Sequence, residues 1–114
     1  MDVYTRPRVH TRACEKDRMK PSEALQRHRE TIRRVIESHR ARNARVFGSV
    51  LSGKDTEESD LDLLIDPTPE TTLFDIGAIR LELRQLLGVP VDVLTPKALP
   101  EKMRAAVLAQ ARPV

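Results

Sequence analysis

At 114 residues the chain has room for one core and one domain. Its single cysteine, Cys14, excludes an internal disulfide and a multi-cysteine zinc site, and no apolar run approaches a membrane span or secretory signal, so the cytoplasm is the expected compartment. The formal charge of +3 is local: residues 1–20 carry Arg6, Arg8, Arg12, Lys16, Arg18 and Lys20 against Asp2, Glu15 and Asp17, while residues 21–114 are balanced.

The first twenty residues therefore read as a basic, flexible arm. Such an arm either touches nucleic acid or an acidic partner, or is simply a solvated tail. Residues 21–114 are expected to form the single domain. Pro21-Ser22 opens a periodic segment in which Leu25, His28, Ile32, Val35, Ile36 and His39 recur at spacings of three and four. That spacing predicts one amphipathic helix of about five turns. His28 and His39 lie three turns apart on it and cannot share one metal ion.

Residues 44–47 read as a short strand, followed by a turn at Gly48-Ser49 and a brief helical turn at Val50-Leu51. A polar loop over 54–59 leads to the clearest strand, residues 60–65. Period-two alternation there puts Asp60, Asp62 and Leu64 on one face and Leu61, Leu63 and Ile65 on the other. Leu73, Ile76, Ile79, Leu83, Leu86 and Leu87 predict a second amphipathic helix with Gly88 as its C-cap. Gly77 weakens that helix unless it packs closely on the sheet. Residues 89–94 predict a third strand, with Asp92 opposite Val91 and Val93, and residues 99–111 a last helix. The order implies a small α/β (α+β) fold: a mixed sheet with helices on one face and carboxylates on the other.

Three carboxylates on neighbouring strands repel one another unless a cation comes between them. Magnesium suits them, because it prefers hard oxygen ligands and retains sites for substrate phosphates. Two such ions activate an attacking hydroxyl and stabilise a leaving pyrophosphate. Asp60 and Asp62 are the expected shared ligands. Asp92 is expected on the ion nearest the hydroxyl, where it can also assist deprotonation. Backbone N–H groups at Gly48 and Ser49, with the Ser49 hydroxyl, are suited to phosphate oxygens. Taken alone, Gly-Ser is also an ordinary turn, and the aspartates solvated edge charges.

Gly48-Ser49, ten intervening residues, Asp60-Leu61-Asp62 and then Asp92 in Val-Asp-Val-Leu-Thr-Pro together resemble the minimal nucleotidyltransferases (MNT type) of the DNA polymerase β-like superfamily. The resemblance spans residues 21–112 and leaves the arm unmatched. It implies the minimal nucleotidyltransferase fold, with Gly48 and Ser49 on the β/γ phosphates of ATP and Asp60, Asp62 and Asp92 as the catalytic, metal-binding triad. The large second domain that holds base and acceptor in longer relatives has no counterpart here.

In the systems resembled, the MNT protein is the antitoxin of a type VII toxin–antitoxin pair and transfers AMP from ATP to a tyrosine of its HEPN ribonuclease toxin. The resemblance therefore implies a cognate HEPN toxin as partner in a hetero-oligomer. Two alternatives stand beside it: an antitoxin that acts by steric binding alone, and a transferase acting on RNA. Against RNA, the chain has only Tyr4, Phe47 and Phe74 as aromatic residues and hence no stacking platform.

Overall fold

Pro21, with its fixed φ and missing N–H, stands at the first helical position of α1 (Pro21–Arg27). In this computed structural model, which describes residues 19–114, the expected five-turn helix is divided. A turn at His28 (φ −127°, ψ 29°) separates α1 from α2 (Arg29–Ser38). Neither Pro nor Gly stands at the break. Its effect is to let both halves bury their apolar residues in one cluster, Ala24 and Leu25 from α1 and Ile32, Val35 and Ile36 from α2. The basic arm lies outside the described residues, apart from Met19 and Lys20.

Strand β1 (Ala41–Phe47) begins three residues earlier than its apolar pattern suggests. Arg42 and Asn43 obscure the start, and Asn43 has φ 56° inside a register shift between Arg42 and Arg45. Asp66 on the next strand holds this irregular stretch: its carboxylate accepts from Asn43 Nδ2 at 2.9 Å and from Arg45 Nη2 at 2.5 Å. A four-residue helix, α3 (Ser49–Ser52), follows and ends at Gly53 in the left-handed region.

Strand β2 (Leu61–Pro67) lies antiparallel to β1. Leu61, Leu63 and Ile65 enter the core beneath the helices. Helix α4 (Leu73–Leu87) starts in a reciprocal cap, with Asp75 N–H donating to Thr72 Oγ1 at 3.1 Å and Thr72 N–H to Asp75 Oδ2 at 2.9 Å. Gly88 ends it at φ 72°. Ile79, Leu83 and Leu87 are buried as expected, but Leu73 and Leu86 are exposed, so the buried stripe is narrower than the sequence pattern. Gly77 is exposed with open space around it; it is not a close-packing site.

Strand β3 (Val91–Leu94) pairs parallel with β2, the connection passing through α4. A 3-10 turn at Pro96–Ala98 and helix α5 (Glu101–Gln110) follow. The helix starts later than expected, leaving Leu99 buried ahead of it. A two-residue strand, β4 (Arg112–Pro113), then pairs antiparallel with β1, an element without a sequence signal. The sheet order is β3-β2-β1-β4. Helices α2 and α4 pack on one face; the opposite face carries the carboxylates. The α/β class and mixed sheet agree with the expectation from sequence.

Candidate active site

Two register pairs assemble the site. Phe47 of β1 lies opposite Asp62 of β2, and Asp62 lies beside Asp92 of β3. Neighbouring strands are about 4.8 Å apart, so the Asp62 and Asp92 side chains leave the sheet side by side on the same face. Their flanking residues explain the orientation: Leu61, Leu63, Val91 and Val93 are all buried, which turns the intervening aspartates away from the core. Asp60 stands one residue ahead of β2 and is exposed, while Asp62 and Asp92 are half-buried.

The turn after β1 closes on this row. Gly48 has φ 82° and ψ −150°, a combination reserved essentially for glycine. A Cβ built there would overlap Asp62 Oδ2. The Gly48 carbonyl accepts from Leu51 N–H at 3.0 Å and Ser52 N–H at 3.2 Å, so Gly48 is both the end of the strand and the cap of α3. Ser49 is the first helical residue, where backbone N–H groups lack intrahelical acceptors.

Among the described residues none of the three aspartates is ion-paired. Asp62 shows the consequence. Burial first, then the charges of Asp60 and Asp92, push its carboxyl up to about 6. No three acidic, histidine or cysteine side chains among the described residues are already gathered tightly enough to enclose an ion. The donor set nevertheless fits a hard divalent cation: oxygen ligands only, mutually repelling, with no basic neighbour in β2 or β3.

A cleft of about 650 Å³ runs from Gly48, Ser52 and Asp62 to Met103, Val107, Gln110 and Arg112. Ser49, Asp60 and Asp92 are not among its lining residues. The far wall is supplied by α5, a helix the sequence pattern predicts without showing what it faces, and by β4, which that pattern does not show. Asp55 is a second residue that pattern reading passes over. It is 9% exposed, and its Oδ2 accepts from Ser22 N–H at 2.9 Å. Burial would raise its pKa, but the bonds from Ser22, its own backbone N–H and the charge of Lys20 together hold the carboxyl below its usual range. Asp55 thereby ties the loop before Asp60 to the start of α1.

The model of the nucleotidyltransferase domain family matches residues 25–114, which contain every element from the end of α1 to β4. The chain belongs to that family. It is a nucleotidyltransferase with the minimal form of the fold. A solved structure described as a "putative minimal nucleotidyltransferase" is 40% identical, covers 82% of this chain and 95% of its own, and superposes with a TM-score of 0.73. A Methanocaldococcus jannaschii protein named "Putative protein adenylyltransferase" is 30% identical over 77 residues, 68% of this chain and 83% of its own. A second protein so named from that organism is 29% identical over 77 residues, 68% of this chain and 76% of its own. A toxin–antitoxin crystal structure with AMP-PNP shares the fold at a TM-score of 0.60 and 16% identity, covering 70% of this chain and 66% of its own. Among the described residues no helix is long and apolar enough to cross a membrane.

Proposed function

We propose that this nucleotidyltransferase is a magnesium-dependent protein adenylyltransferase, the antitoxin half of a toxin–antitoxin pair, and that it moves AMP from ATP to a tyrosine of a HEPN ribonuclease toxin. The observation that carries the chemistry is the row Gly48–Asp62–Asp92, in which a turn that only glycine can make abuts a carboxylate pushed toward its neutral form by burial and by its acidic neighbours. The protein acceptor is supported by the relatives named for protein adenylylation, and the partner by the fold shared with a toxin–antitoxin structure.

In this reading Asp60, Asp62 and Asp92 hold magnesium, which when bound neutralises phosphate charge and lowers the pKa of the attacking hydroxyl. The chain's own groups do the rest. N–H groups at Gly48 and Ser49 would hold the β/γ phosphates, and Asp92 would serve the acceptor hydroxyl. The acceptor hydroxyl attacks the α-phosphorus, its proton passing to Asp92. The bond from the α-phosphorus to the bridging oxygen breaks, and pyrophosphate leaves with the electron pair.

The test is transfer of label from α-labelled ATP, offered to the HEPN partner and to total RNA in parallel. Label on a partner tyrosine, abolished by Asp60→Asn/Asp62→Asn, is the expected result. Label on RNA alone would replace the acceptor, and full growth protection by the double variant would make neutralisation a matter of binding.

A further inference from the structure

Glycine in a helix interior is destabilising relative to alanine, and within the chain nothing offsets that cost at Gly77 of α4, where a side chain would meet open space. Around it lies the most exposed apolar surface among the described residues. Phe74 is 90% exposed, Leu73 85% and Leu81 58%. At about 100° per residue these three share an arc of about 120° with Gly77, Arg80 and Arg84, outside the stripe of Ile79, Leu83 and Leu87 that enters the core. Among the described residues neither arginine pairs with a carboxylate, although Arg84 commits Nε to the Val91 carbonyl. Helix α4 packs on the sheet face opposite Asp62 and Asp92, so whatever covers this arc is held away from the carboxylates. The order of residues about Gly77 is self-complementary. Leu73 stands four places before it and Leu81 four after, Phe74 three before and Arg80 three after. Glu70, in the turn ahead of the helix, stands seven before and Arg84 seven after.

We propose that this arc of α4 is the contact between two copies of the chain, crossing antiparallel about a two-fold axis at Gly77. Such an axis sets each residue before Gly77 against the residue equally far after it in the second copy. Leu73 then packs on Leu81 of the second copy, Phe74 takes the guanidinium of its Arg80 against the ring face, and Glu70 faces its Arg84. Each contact occurs twice. Opposite charges and a cation–aromatic pair meet in this one alignment, whereas a parallel pairing sets every one of these groups against its own duplicate. Charge complementarity therefore selects a second copy as the occupant and antiparallel as its direction. The absent side chain at Gly77 lets the two backbones approach more closely than the usual interaxial distance of about 8–10 Å. The inference goes beyond the proposed function and does not depend on it, since both clefts stay open on the far side of the sheet.

Sedimentation equilibrium of the full chain at micromolar concentration tests the contact, and twice the mass of one chain is the expected result. Phe74→Ala removes an exposed ring from both copies at once and is expected to weaken the dimer on the order of a hundredfold. Gly77→Leu fills the crossing and should also dissociate it. Both variants should keep the helical circular dichroism of the wild type, because neither site is buried within one chain. The alignment is read separately, with Cys14→Ser removing the native thiol. Leu73→Cys/Leu81→Cys should be joined between copies by oxidised glutathione, which takes up the two electrons of each new disulfide, and Leu73→Cys alone should not. A monomeric wild type would overturn the proposal and leave the arc to a different protein. A dimer that Phe74→Ala and Gly77→Leu leave intact would overturn it as well. So would a double cysteine variant that fails to join, or joining by Leu73→Cys alone, the result of a parallel pairing.

Discussion

Gly48 and Asp62 are packed so closely that a single methyl group on Gly48 would occupy the space of Asp62 Oδ2. Two independent penalties meet at that position, the overlap and a backbone geometry at φ 82°, ψ −150° that L side chains rarely adopt. The conformational part alone costs on the order of 1–3 kcal/mol. Gly48→Ala is therefore expected to lower the melting temperature and to displace Asp62. Urea unfolding with and without magnesium-ATP measures both: the variant should lose stability and also lose most of the ligand's stabilising effect.

On the proposed function, magnesium and ATP would bind the folded site and not the unfolded chain, and so would stabilise the fold by mass action. At a ligand concentration a hundredfold above Kd the gain is about 2.7 kcal/mol. Thermal melts should show a larger rise with both than with either alone. In Asp60→Asn/Asp62→Asn the rise should largely vanish. Equal rises in wild type and variant would place nucleotide binding elsewhere.

The carboxyl of Asp62 is raised to about 6 from an ordinary 3.8, so the folded protein holds a proton there that the unfolded chain has released. Its contribution to stability is complete below 3.8 and disappears as pH climbs to about 6. In metal-free buffer, the stability of wild type relative to Asp62→Asn is therefore expected to decline through that window and level off above it. Magnesium at neutral pH should recover the loss, and EDTA should restore it. A wild-type-minus-variant difference that stays flat with pH would refute the electrostatic reading of the site.

Asp55 works through position. Replacing it with alanine leaves the Ser22 N–H of α1 without its acceptor, at a cost of about 1–3 kcal/mol. Asp55→Asn keeps an acceptor oxygen and should cost less. Because Asp55 anchors the loop that leads into Asp60, the alanine variant should also weaken magnesium-ATP binding, read by calorimetric titration. Its depressed pKa predicts the opposite pH response from Asp62: its stabilisation is present above the unfolded-state value and is lost as acid carries the pH down through the folded one.

The strand bearing Asp62 is legible in the sequence because one of its faces is buried, and burial imposes strict alternation on Leu61, Leu63 and Ile65. Asp92 between Val91 and Val93 is legible for the same reason. The start of β1 is hidden because Arg42 and Asn43 sit in a bulged stretch whose polar groups bond to Asp66 rather than to an apolar layer. Strand β4 is hidden because two residues, one of them proline, carry no periodicity. The break at His28 follows from tertiary packing that no local residue announces. Leu73 and Leu86 match the helical stripe of α4 but fall outside the buried arc, where spacing alone does not distinguish core from surface. Met103 and Val107 fit helical spacing equally well, yet they face a cleft whose other side is about forty to sixty residues away in sequence.

A hydrogen bond from Arg84 of α4 to β3 bears on how a second protein can approach. Strand β3 ends the sheet on its side, and its inward carbonyl at Pro90 accepts from Leu61 N–H at 2.8 Å. The next carbonyl, on Val91, accepts from Arg84 Nε at 3.1 Å, so a guanidinium occupies a position that an added strand would need. At the opposite border β4 is two residues long and contains Pro113, which lacks a donor. Both rims of the sheet are thus blunted against templated β-pairing. A docking protein meets side chains on helices and around the cleft, and its selectivity is written in those side chains instead of in a shared ladder of main-chain bonds.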